Sequence, residues 1–460
     1  MNCCIKTSMA QKNQGQTVGG ETLGRKEQKE GKKKLLIYAH YYVPDVASTG
    51  QILKELAEGM LDVFDITVIC VVPSYRGKID PEYRKHQFYH EEINGVHVIR
   101  VRVPEFDKTN KLSRVKNIVA YAVRAALATF QVKNVDYVFA ISQPPVLGGL
   151  LGVWGKLTRR AKFIYNIQDF NPEQIIAVNY TKNPLLLKTL MALDKFSCRQ
   201  ADKVIVVGRD MVETLKNRFQ KRKVPSYAFI NNWVDEKELY PLPMSDPHVA
   251  AFRKKYGLEN KFVIMYSGNL GLYYDLENLI RVIKNFRKGR TTEGKIETGP
   301  VTVDGKEVVF AFVGAGSIER KLEDYKARHH IDNVVFIPYQ KKEDLVYSLN
   351  AADVHWCVSA KGIKGVSVPS KLYGCLAVQK PVIGVMEPGA EARLIMEEIG
   401  CGYVCDPGDY EHVARHVRWF IAHANAEEMK AMGRRGREYL EKNLTMDVSV
   451  RKYVEEILKC

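Results

Sequence analysis

A chain of 460 residues, 46% apolar and 27% charged, is too long for one ordinary core and too apolar for a disordered polymer, so two domains are expected. The net charge of +16 suits phosphorylated substrates or an anionic membrane face better than nucleic acid, because no RNA-binding signature or interleaved aromatic–basic run accompanies it. Nine scattered cysteines without a CxxC pair argue against zinc and for buried thiols in a reducing cytoplasm.

Residues 1–34 hold eight Lys/Arg against three Glu and no apolar run, which predicts a disordered basic tail rather than a signal peptide. No stretch of about twenty clean apolar residues follows anywhere. The first domain is expected over 35–238. KKLLIYAHYYVPD is a short apolar run that ends at His40, and STGQILKELAEGML has helical spacing with Ser48 or Thr49 as its cap. ITVICVVP (66–73) and VHVIRVRVP (96–104) read as strands, and 111–130 as a helix with basic and apolar residues mixed. DYVFAIS (136–142), KFIYNIQD (162–169) and KVIVVG (203–208) complete a strand–helix alternation. Near-continuous apolar strands in that order mean a parallel sheet covered on both faces.

YPLPMSDP (240–247) reads as a linker into a second domain over 239–435. There KFVIMYSG, VVFAFVGAG (308–316), NVVFIPY (333–339), ADVHWCV (352–358) and KPVIGV (380–385) repeat the pattern. Residues 288–307 are polar and read as a surface insertion. The last helices, 409–423 and 426–458, are amphipathic, with 436–460 expected to pack back on the first domain.

Doubly wound units bind ligands at the carboxyl ends of their strands. In GVSVPSKLYGCLAVQKPVIGVMEPGAE (365–391), Lys371 sits in the first helical turn after Pro369 and Ser370. A cation and free N–H groups at a helix start suit a diphosphate, and Glu391, past the next strand, could accept from ribose hydroxyls. YSGNLG offers Gly268 and Gly271 for close backbone approach and Asn269 for hydrogen bonding. FVGAGSIE (312–319) has Glu319 where a dinucleotide fingerprint needs its third glycine, so tight turning is the better reading than a dehydrogenase site. NIQDFNPEQ ends a strand with Gln168, Asp169 and Glu173; for Asp169, chemistry and helix capping are equally open. His40 is as ambiguous. In INNWVD, Asn232 could brace a cleft and Trp233 belongs to a core.

With these residues in hand the chain resembles the glycosyltransferases of family 4, in the capsule, colanic-acid and O-antigen branch. The similarity runs from about Leu35 to the C-terminus through QD-x-x-PE (Gln168 to Glu173), NNWVD, YSGNLG, VPSKLYG, PVIGV and PGAE. It implies an α/β fold of the GT-B type, two Rossmann-like doubly wound parallel-sheet domains facing a central cleft. It further implies retaining transfer of a sugar from a UDP- or GDP-linked donor, without metal or other cofactor, to a lipid-linked or oligosaccharide acceptor at the inner face of the cell membrane. On that pattern Lys371, Ser370 and the Gly268–Asn269–Gly271 loop hold the diphosphate. Glu391 holds ribose, Pro338 and Tyr339 edge the base, and Asp169 and Gln168 face the reacting sugar. His40, Gly50 and Glu173 lie on the acceptor side. Many relatives carry two basic residues where this chain has Asn269 and Tyr274, two glutamates where it has Val366 and Gly374, and a histidine where it has Gln168. A nucleotide-sugar epimerase or hydrolase, and a binding-only relative, are the alternatives on the same scaffold.

Overall fold

The computed structural model describes residues 31–45, 48–75, 77–107, 110–177, 181–286, 302–303, 306–424 and 426–460. Residues 33–460 form one compact unit. The basic tail up to residue 30 and most of the 288–307 insertion lie outside the described residues.

The first sheet contains β1 (Lys33–Tyr38), β2 (Phe64–Val71), β3 (Phe88–Ile93), β4 (Val96–Val101), β5 (Tyr137–Ile141), β6 (Lys162–Ile167), β7 (Lys203–Val206) and β8 (Tyr227–Phe229). Their order is β3-β4-β2-β1-β5-β6-β7-β8, parallel throughout except for β3. Strands such as LLIY and YVFAI are buried at consecutive residues because helices cover both faces. Chain order reverses between β1 and β5, which opens a crevice at their carboxyl ends. Strand β3 was not expected. Its FYHEEI sequence alternates half-buried and exposed residues at the sheet edge, and Asn94 and Gly95, at φ 50° and 85°, turn it into β4. An Asn-Gly pair between alternating runs is the hairpin signal that would have found it.

The second sheet contains β9 (Lys261–Ser267), β10 (Thr302–Val303), β11 (Lys306–Val313), β12 (Val334–Ile337), β13 (Val354–Val358), β14 (Val382–Val385) and β15 (Gly402–Cys405). β9, β11, β12, β13, β14 and β15 are parallel, and β9 lies between β11 and β13, so a second switch point falls beside the Gly268 loop. The two facing parallel-sheet domains agree with the expected fold class.

The helix expected over 426–458 is two helices, Glu427–Asn443 and Met446–Leu458, broken where the Thr445 hydroxyl caps the second by accepting from the Val448 N–H at 3.3 Å. The first stays with the second domain, burying Met429, Met432 and Leu440. Only the second crosses back. It buries Val450, Tyr453 and Ile457 in the first domain's core, and Val450 lies 3.0 Å from where a Cβ on Gly59 would stand. Lys203 and Glu456 add an ion pair at 2.9 Å.

Candidate active site

On the second domain, β9, β11 and β12 end side by side. The Gly268 N–H donates to the Val313 carbonyl at 2.8 Å, and the Gly314 N–H to the Ile337 carbonyl at 2.9 Å. Gly314, at φ +138°, is required: a Cβ there would lie 2.0 Å from the Gly268 carbonyl oxygen. Gly268, at φ +143°, makes room for Lys371, whose Cε would lie 2.3 Å from a Cβ at 268. The helix Lys371–Ala377 follows the loop after β13, so Lys371 reaches the second switch point from the other side. Its ammonium lies 3.4 Å from the centre of the Tyr274 ring and 5.5 Å from that of Tyr266. Among the described residues no carboxylate pairs with it. Burial pushes its pKa down to about 8, so it stays mostly charged at neutral pH on the faces of two phenols. At Tyr274, where the resemblance led one to expect a base, the ring instead supports the charge of Lys371.

The other expected donor residues gather around this cation to different degrees. Asn269 is exposed beside Gly271, and its backbone carbonyl accepts from the Tyr266 hydroxyl at 2.8 Å. Pro338 and Tyr339 follow β12 on the same rim, Tyr339 with 67% of its surface open. Ser370 is exposed and its side chain makes no cap bond.

Glu391 departs from the expectation. It is 1% exposed, and its carboxylate is turned to the other domain: Oε2 accepts from the Arg209 backbone N–H at 2.8 Å and its Nε at 2.9 Å, and Oε1 from Asn231 Nδ2 at 3.0 Å. With the Gly365 N–H donating to Asp210 Oδ2 at 2.8 Å, this makes an interdomain latch. Glu391→Ala is therefore expected to cost about 1–3 kcal/mol, because Arg209 and Asn231 lose their acceptor while Arg209 keeps some solvent. Thermal unfolding and donor titration check this together. A ribose contact alone would weaken donor binding and leave the melting temperature unchanged.

On the first domain, the Ser142 hydroxyl after β5 accepts from the Gln168 and Asp169 N–H groups at 3.1 and 3.2 Å, fixing the end of β6. Asp169 pairs through its backbone with Ser367, and the Phe170 N–H donates to the Val366 carbonyl at 2.9 Å, so the two rims touch here. Burial pushes the Asp169 carboxyl up to about 6, opposed by side-chain hydrogen bonds with Gln143 and Ser367. After burial, the Asp169 charge is the next cause raising the Tyr274 phenol to about 12, which puts the carboxylate close to the ring that supports Lys371. The Asp169 charge is thus felt at Tyr274, the ring on which Lys371 rests, across the domain contact.

Gln168 does not join them. Its Nε2 donates to Asn166 at 2.6 Å and its Oε1 accepts from Asn232 at 2.7 Å, while Asn166 Nδ2 donates to the Tyr453 hydroxyl at 2.9 Å. This buried amide chain ties β6, the interdomain crossing and the C-terminal helix together; Asn232 braces as expected, and Trp233 is core. Glu173 is also committed. Arg218 Nε donates to it at 2.7 Å, and the same guanidinium bonds Asp194 and the Asn171 carbonyl. Arg218 thereby holds the loop that carries Asp169. His40 lies at the β1–β5 crevice, buried, with its ring 4.2 Å from Tyr41 and 4.9 Å from Tyr121. Burial pushes its pKa down to about 4, so it is neutral at physiological pH, and its Nε2 has no partner among the described residues. Gly50 packs against the Tyr41 carbonyl, 3.1 Å from a Cβ position. Sequence reasoning missed Arg209, Asn231, Ser142, Ser367 and Arg218, whose partners lie far along the chain. Among the described residues no three His, Cys, Asp or Glu gather as a metal site.

Two facing Rossmann-like parallel-sheet domains give this chain the GT-B fold. Family models match both halves, a glycosyl transferase 4-like domain over residues 48–232 and glycosyl transferases group 1 over 249–439, and the chain belongs to this glycosyltransferase family. WbjE of Pseudomonas aeruginosa, named as a glycosyltransferase, is 29% identical over 64% of this chain and 67% of its own length. WcaI of Escherichia coli K12, named as a colanic acid biosynthesis glycosyl transferase, is 23% identical over 92% of this chain and 99% of its own. Sucrose-phosphate synthase of Thermosynechococcus elongatus superposes with a TM-score of 0.70 at 13% identity, covering 93% of this chain and 99% of that one. HepE of Anabaena, solved with UDP and glucose, superposes at 0.66 and 14% identity with the same coverage.

Proposed function

We propose that this glycosyltransferase moves a sugar from a UDP- or GDP-linked donor, with retention at the anomeric carbon and without metal, to a lipid-linked oligosaccharide in cell-surface polysaccharide assembly. The observation that carries this reading is the Lys371 ammonium, desolvated over Tyr274 at the Gly268 loop without a counter-ion among the described residues. A buried cation left unpaired is costly, and a diphosphate would complete it. As the glycosidic bond to the diphosphate lengthens, negative charge grows on the leaving oxygen, and a fixed cation near it lowers that barrier without reorganisation. N–H groups of the Gly268–Gly271 loop add donors, Tyr339 offers a ring to the base, and Asp169 faces the sugar from the other rim. The colanic acid role in the WcaI name supports the pathway class, and the UDP-glucose complex of HepE supports a nucleotide-sugar donor.

The test is a thermal-shift panel of UDP, GDP and their sugars, followed by transfer assays with the stabilising donor. A bound diphosphate raises the melting temperature by mass action, by about 2.7 kcal/mol of stability at a hundredfold excess over Kd. No shift with any nucleotide would overturn the donor assignment, and an inverted product in proton NMR would overturn retention.

A further inference from the structure

One residue of the first domain holds a backbone conformation that its side chain disfavours, and it lies at the carboxyl end of β5. Between β5 and the helix Leu147–Arg159 runs the segment Ser142, Gln143, Pro144, Pro145, Val146. Val146 is buried with φ 65° and ψ −45°, and the Leu147 N–H donates across it to the Pro145 carbonyl at 2.7 Å. This is a γ-turn of the positive-φ kind, which is strained, and a β-branched residue makes it more so. The segment has little slack in which to relax. The Ser142 N–H donates to the Asn166 carbonyl at 2.9 Å, and a Cβ on Gly148 would stand 2.1 Å from the Ile141 carbonyl oxygen, so the helix starts hard against the strand end. Strain of this sort persists where the surroundings over-determine it, and it gathers where a side chain must be held in one place.

The side chain so held is Gln143. Thr49, in the first turn of the helix Ser48–Gly59, donates its hydroxyl to Gln143 Oε1 at 3.0 Å. With the amide oxygen engaged there, the amide NH2 is turned to donate elsewhere. Gln143 and Ser367 are the side chains whose hydrogen bonds favour the charged form of Asp169 against burial. A carboxylate can only accept, so Gln143 supplies an amide donor from its own domain and Ser367 a hydroxyl from the other. Ser142, next in the same segment, accepts from the Asp169 N–H at 3.2 Å, so one strained turn places both the backbone and the carboxyl of Asp169. Charged and titratable groups act on Asp169 from two sides. Tyr274 faces it from the second domain with Lys371 on that ring, and Arg218, bonded to Glu173 and Asp194, holds its loop from behind. Gln143 adds no charge to this set; its effect depends on the direction of its amide, which Thr49 sets.

We infer that Gln143 is a positioning residue, held by Thr49 and the strained turn at Val146, that keeps the Asp169 carboxylate in place for the donor sugar. The inference rests on the reading that Asp169 faces that sugar, and it adds the group that orients it. The experiment is a carbon-NMR titration of the full chain labelled at the aspartate carboxyl carbons, with the Asp169 signal assigned by its loss in Asp169→Asn. The wild-type midpoint is expected at about 6. Gln143→Leu is close in volume and removes a donor to the ionised form, so the midpoint should rise by about one pH unit. Thr49→Val should move it the same way by less, and Thr49→Ser should restore it; this pair keeps the test open if Gln143→Leu does not fold. The companion measurement is kcat/KM against pH with the nucleotide sugar that gives the largest thermal shift. The acid limb should follow the NMR midpoint upward in Gln143→Leu, with kcat down about tenfold and KM within about twofold. A merely structural role would lower the melting temperature and leave midpoint and acid limb where they are. An unmoved midpoint in Gln143→Leu and Thr49→Val, or an acid limb that stays while the midpoint moves, would overturn the inference. If Asp169→Asn loses turnover in either case, the reading of Asp169 itself stands. Asp169→Asn within about threefold of the wild type would remove that reading and this inference with it.

Discussion

Lys371→Met is expected to cut donor turnover by about 10²–10³-fold while making the protein harder to unfold. The ammonium is desolvated and unpaired among the described residues, so its pKa falls from 10.5 to about 8. Between those values the unfolded chain holds the proton more tightly than the folded one, so this residue's cost shrinks as pH rises through the window and is present in full below it. Methionine keeps the volume and removes the buried charge. Below pH 8 the variant should gain about 1–3 kcal/mol, an advantage that fades toward pH 10.5. Kinetics with the donor and urea unfolding at two pH values measure both halves. Turnover within about threefold of the wild type would sink the assignment of Lys371 to the leaving group. The same charge predicts that diphosphate binding near pH 9 takes up a proton, because the bound anion restores the ammonium. Calorimetry in buffers of different ionisation enthalpy would read that uptake, and buffer-independent heats would contradict it.

Arg218→Met should be the most damaging single change to stability, at about 3–5 kcal/mol. The guanidinium answers two carboxylates, Glu173 and Asp194, bonds the Asn171 carbonyl at 2.9 Å and stacks 4.2 Å from the centre of the Phe170 ring. Its removal leaves the buried Asp194 carboxylate with no cation and only the Tyr165 hydroxyl, which donates to it at 2.6 Å, and loosens the loop from Asp169 to Glu173. Adding Asp194→Asn to the Met variant should recover part of the loss by deleting the stranded charge. Denaturant midpoints of the single and double variants form the check. A loss below about 1 kcal/mol for Arg218→Met would show that the carboxylates find other partners.

Much of this molecule was readable before any coordinates. The apolar strand runs, their alternation with helices and the glycines at strand ends gave two doubly wound domains, and the loop that carries Asp169 touches the loop that leads to Lys371. Other readings failed for a common reason. Gln168, Glu173 and Glu391 are polar residues at the rim of a cleft, which is where a site is sought, yet each is consumed by a partner the chain order hides. Glu391 meets Arg209 182 residues away, and Gln168 meets Asn232 64 residues away. The apolar outer faces were hidden in the same way. In the helix 111–130, Val119 and Tyr121 are both apolar, and only packing leaves the first outside and the second inside.

Residue period, caps and turns act over a few positions, so the chain alone decides its strands, its helices and the small loops that can approach a phosphate. Which charges stay free is decided by long-range pairing. A side chain is available for substrate only if the opposite domain does not supply its partner, and that depends on how two sheets face each other. Packing left Lys371 a cation over Tyr274 with no counter-ion among the described residues, and it turned Glu391 into a latch.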